Sequence, residues 1–109
     1  MSKTIAVMAI DPGKNGGLVA ITEDTVIECN RCPKSIESMA SIVNHVVHKC
    51  YIENYGLITY IENVHAFPTD GRSSAFKFGV NFGTWLGILG STHIDPIKVS
   101  PITWQKQFQ

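Results

Sequence analysis

Residues 4–10 (TIAVMAI) are almost continuously apolar, the pattern of a strand buried on both faces. The run ends in Asp11, and residues 12–17 (PGKNGG) carry turn chemistry that stops it. Shorter apolar runs follow at 18–22 and 25–29, joined by the polar pair Glu23 and Asp24. The opening therefore predicts three antiparallel strands in succession. Pro33 ends strand propagation, and Ser35 stands as an N-cap with Glu37 in the first turn behind it. Ile36, Met39, Ala40, Val43, Val46 and Val47 then recur at helical spacing, which predicts a helix with one apolar face to about residue 50. Leu57 to Ile61 reads as a further buried strand, closed by Glu62, and a polar loop runs from His65 to Gly71. Residues 73–90 predict a second helix, with Ala75, Phe76, Phe78, Phe82, Leu86 and Leu89 spaced to pack. Its glycines Gly79 and Gly83 predict close approach of the helix backbone to the sheet. Residues 94–99 predict a short strand interrupted by Pro96, either an edge strand or one that starts there, and residues 100–106 (SPITWQK) start another helix with Ser as cap and Pro first. The order predicts an α/β domain whose mixed sheet has three antiparallel strands, then parallel ones, with helices on its faces.

Composition narrows the class. A chain of 109 residues that is 44% apolar and 17% charged has the make-up of one globular domain, spanning residues 1–109. A formal net charge of zero excludes a surface that is one continuous phosphate-binding field, while leaving room for a local basic stripe. No apolar run reaches the roughly 18–20 residues of a membrane span, so no membrane partner is expected. Without an export signal at the start, three cysteines fit reduced thiols in a cytoplasm.

The chemistry that stands out is acidic. Asp11 closes the first strand and Glu62 the fourth. If those strands lie side by side and parallel, both carboxylates project from the edge where open α/β sheets place ligands. Like charges that close repel unless a cation sits between them. Oxygen donors without paired His or Cys suit Mg²⁺ or Mn²⁺, and pairs of such ions drive in-line phosphodiester hydrolysis. Gly13, Gly16 and Gly17 would keep the turn low enough for a phosphate backbone to approach. Acidic residues also sit at strand ends merely to be solvated, and spacing alone leaves both readings open.

Four segments, AIDPGKNGGLVAI, YIENVHAF, SSAFKFGVNFGTWLGIL and VSPITWQKQF, resemble in order and spacing the RuvC-type Holliday-junction resolvases, notably their phage and prophage branch, within the ribonuclease H-like superfamily. The resemblance implies a homodimer that cuts branched DNA at four-way junctions using Mg²⁺ or Mn²⁺. It implies that Asp11 and Glu62 are the catalytic metal ligands. It also implies that Lys77 lies near the DNA backbone, with Ser73 and Ser74 in the same motif, and that His65 or Phe67 is the aromatic that opens the junction. The family completes its metal site with aspartates on a C-terminal helix, in a stretch like His-Asp-x-x-Asp-Ala. No such stretch occurs before Gln109; Asp70 lies in a loop and Asp95 ahead of an edge strand. A C-terminally truncated domain is therefore expected, able to hold a metal weakly and incomplete for catalysis on its own.

Other residues carry weaker signals. Cys29, Cys32, His45, His48 and Cys50 approach a zinc-finger spacing, although a domain this large has no need of a structural zinc. Lys14, Arg72, Lys77, Lys98 and Lys106 fall near loops or helix starts; around the expected cleft they would pair with phosphates, and otherwise they are scattered solvated cations. Phe76, Phe78, Phe82 and Trp85 belong to a core or a dimer interface. Two rival readings remain, an actin-like or sugar-kinase fragment that uses the first hairpin for Mg-nucleotide phosphate, and a non-catalytic DNA-binding or dimerisation module.

Overall fold

The computed structural model describes residues 3–63 and 71–100. Its elements in chain order are β1 (Ile5–Asp11), β2 (Gly17–Ile21), β3 (Val26–Arg31), α1 (Ile36–Glu53), β4 (Gly56–Glu62), α2 (Arg72–Ser91) and β5 (Ile97–Val99). The strands form one sheet in the order β3-β2-β1-β4-β5. β1, β2 and β3 pair antiparallel, while β4 lies parallel to both β1 and β5. The predicted mixed sheet is thus present, with β5 at an edge. Of the helix expected from residue 100 onward, residues 101–106 lie outside the described residues.

Local chemistry sets the boundaries. The β2–β3 hairpin turns at Thr22, whose hydroxyl accepts from the amides of Asp24 and Thr25. Ser35 caps α1, its side chain accepting from the Ser38 amide at 3.1 Å. The helix runs past the expected stop to Glu53, because Asn54 takes the left-handed conformation (φ 57°) and its N–H closes the last turn.

Both helices cover one face of the sheet. Ala6, Met8 and Ile10 of β1, Leu18 and Ala20 of β2 and Ile61 of β4 pack there against Met39, Val43, Val46 and Cys50 of α1 and Trp85, Ile88 and Leu89 of α2. The alternate residues Ile5, Val19, Ile21, Ile58, Tyr60 and Ile97 are exposed on the opposite face. The expectation that β1 is buried on both faces is thereby corrected for the described residues. An unbroken apolar run conceals a period of two when outward positions are as apolar as inward ones.

The glycines of α2 correct a second expectation. Among the described residues, a Cβ at Gly79, Gly83, Gly87 or Gly90 would meet nothing within 4 Å, so these residues mark no close approach to the sheet. The aromatic residues divide: Trp85 is fully buried, Phe82 packs against the core, and Phe76 is 73% exposed.

Candidate metal and nucleic-acid site

In the β1–β4 ladder Ile10 stands opposite Ile61, so the next residues, Asp11 and Glu62, end neighbouring parallel strands at the same sheet edge. Strand alternation turns both away from the helix-covered face. Their carboxyl groups hydrogen-bond each other, which requires a proton on one of them when no cation lies between. Burial comes first among the causes that hold the Glu62 carboxyl above its usual range, followed by the hydrogen bond and the negative charge of Asp11. Such a pair attracts either a proton or a metal ion. Its hard oxygen donors fit Mg²⁺ or Mn²⁺, with water completing the coordination. Among the described residues no third His, Cys, Asp or Glu joins them.

The turn after Asp11 is tightly wound. Gly13 has φ 113°, a conformation that L side chains rarely adopt. The Gly16 amide donates to the Gly13 carbonyl at 3.0 Å, and the Cys32 amide donates to the Gly16 carbonyl at 2.9 Å. Helix α2 lies against this turn, since the Phe78 ring is 3.6 Å from where a Cβ on Gly13 would stand. Asn81 completes the contact by accepting from the Gly13 amide at 2.7 Å and donating to Cys32 Sγ at 3.4 Å. Sequence reasoning missed Asn81. Its signal was a polar residue on the inward stripe of a helix, between Phe78 and Trp85.

Of the expected DNA-contacting residues, Lys14 is exposed on the turn itself. Arg72, Ser73, Ser74 and Lys77 are exposed along the first turns of α2. That helix starts with no acidic residue in its first turn, so its positive end and Arg72 act in the same electrical direction. Lys77 lies one turn before Asn81, on the side of the helix that leans toward the β1–β2 turn. Lys98 does not join this group. It is in register with Ile61, which places it on the face opposite Asp11 and Glu62. His65, Phe67 and Asp70, like Lys106, lie outside the described residues.

The zinc spacing is not realised. His45 and Cys50, five residues apart on α1, point about 140° from each other around a helix of 3.6 residues per turn. Cys50 is buried in the core, while His45 Nδ1 pairs with Glu28 on β3. Cys29 is in register with Val19 on the open face, and Cys32 turns toward Asn81. None of the described helices is long and apolar enough to cross a membrane.

No protein-family model matches the sequence, and no curated protein matches it. Solved structures do match. Thermus thermophilus RuvC in complex with a Holliday junction substrate superposes with a TM-score of 0.63 at 16% identity, over 90% of this chain and 66% of that one. A structure of Thermus thermophilus RuvC gives a TM-score of 0.56 at 17% identity, over 89% of this chain and 64% of that one. The chain therefore spans just under two thirds of these neighbours' length. With its five-stranded mixed sheet and two helices, this protein has the ribonuclease H-like fold of RuvC.

Proposed function

We propose that this chain belongs to a metal-dependent endonuclease of branched DNA, a Holliday-junction resolvase acting in the cytoplasm. The observation that carries the reading is the contact between Asp11 and Glu62 at the ends of neighbouring parallel strands, on a fold otherwise matched by a junction-bound RuvC. Asp11 and Glu62 hold Mg²⁺ or Mn²⁺. The bound cation supplies the Lewis acidity that in-line phosphodiester hydrolysis needs. Lys14, Arg72 and Lys77 bind phosphates of the strand to be cut, and Ser73 and Ser74 add hydrogen bonds at the start of α2. His65 or Phe67 stacks on a base at the branch. A homodimer matches the two-fold symmetry of a four-way junction. The likeness of the four sequence segments supports an origin in the phage and prophage branch of that family.

One observation favours a second reading. With only two ligands among the described residues, the chain alone suits metal and DNA binding better than catalysis. Both readings are tested by electrophoretic retardation and strand nicking of a four-way junction and a linear duplex in Mn²⁺. Preferential retardation of the junction supports the resolvase reading. Nicks near the branch that vanish in Asp11→Asn show that the chain suffices for catalysis, and binding without nicks supports the second reading. Equal or no retardation of the two DNAs contradicts both. Protection by ATP without DNA binding would instead indicate a nucleotide-phosphate site.

A further inference from the structure

Asparagine is a weak helix former, because its amide competes for backbone groups. Asn81 nevertheless stands in the middle of α2, on the inward stripe, and uses both ends of its amide. Gly13, the group it holds, has a backbone conformation that its own sequence does not enforce. From Gly13 the hydrogen bonds continue to Gly16, from Gly16 to Cys32, and from Cys32 back to Asn81. This closed ring is wrapped on the backbone of Asp11. Gly16 sits so near that a Cβ there would lie 1.8 Å from the Asp11 carbonyl oxygen.

We propose that Asn81 is a positioning residue for Asp11, fixing through Gly13 the turn that aims this carboxylate at the ion shared with Glu62. The inference rests on the reading of Asp11 and Glu62 as metal ligands. A helix side chain fixes the turn better than the turn fixes itself, since α2 is anchored in the core by Trp85, Ile88 and Leu89. The same bond ties the acidic site to the helix that carries Lys77, so metal and phosphate contacts are held on one rigid piece.

The test is a Mn²⁺ titration of the full chain, followed by the loss of the free-ion electron paramagnetic resonance signal, together with hydrogen exchange at the Gly13 amide. Asn81→Leu keeps the volume and removes both hydrogen bonds. It is expected to weaken Mn²⁺ binding by about ten-fold, the usual effect of removing a group that orients a ligand, and to speed Gly13 exchange. Asn81→Asp keeps an oxygen for the Gly13 amide and is expected to preserve both the slow exchange and the affinity. If leucine prevents folding, Asn81→Ala is read in the same way. Faster Gly13 exchange with unchanged Mn²⁺ affinity in Asn81→Leu overturns the proposal, as does an Asn81→Asp variant that binds as poorly as the leucine variant. Failure of the underlying metal reading looks different: wild type and Asp11→Asn then titrate alike, whatever stands at position 81.

Discussion

Two carboxyl groups in hydrogen-bond contact are a poor arrangement for an empty protein and a good one for a protein that meets a cation. Glu62 is held above its usual range by burial and by Asp11. For a carboxyl group raised in this way, the stability it contributes is fully present below the unfolded-state value and is lost as pH rises through the folded-state value. Metal-free protein at neutral pH is therefore strained at this pair. Glu62→Gln is expected to raise Tm in chelator by about 2 °C at pH 7, a small effect because the pair is partly solvated. The gain should shrink as pH falls toward 4.5, the ordinary value for glutamate; thermal melts across that range check the sign. Lys77 belongs to the same scale. If it meets one phosphate, Lys77→Ala lowers the slope of log K against log salt for DNA binding by about 0.9.

Elements here obey rules that the chain displays openly in some places and hides in others. Ser35, Pro33 and the spacing of Met39, Val43 and Val46 made α1 legible, because a cap and a 3.6-residue period are local properties. The one-sidedness of the sheet was not legible, since Ile5, Val7 and Ala9 differ little in polarity from Ala6, Met8 and Ile10. Glycine in α2 was legible as an irregularity but not as to its cause. Gly83 has open space where a Cβ would go, so Gly83→Ala is expected to stabilise the helix by about 1 kcal/mol in urea unfolding. A loss would show that another surface packs on this face. Leu89→Ala, on the buried side of the same helix, is expected to cost about 2–5 kcal/mol. The contrast between the two variants checks which face of α2 does the packing.

At the scale of the whole molecule, topology creates the site. Asp11 and Glu62 are far apart in sequence, and only the placement of β4 directly beside β1, in parallel and in register, brings them together. The parallel sense was legible from the order of elements, because a crossover through α1 returns the chain to the sheet in that sense, but the sequence left the placement of β4 beside β1 as a condition that the structure meets. Asn81 was not legible as part of the site, for its contact with Gly13 depends on how α2 lies across the sheet, which periodicity does not encode. Joint binding of a divalent cation by the two carboxylates is read most plainly in a Mn²⁺ titration of chelator-treated wild type, Asp11→Asn and Glu62→Gln at neutral pH. One Asp11- and Glu62-dependent site is expected, weakened about ten-fold or more by either substitution and by acidification. Equal Mn²⁺ affinity in all three proteins would contradict it.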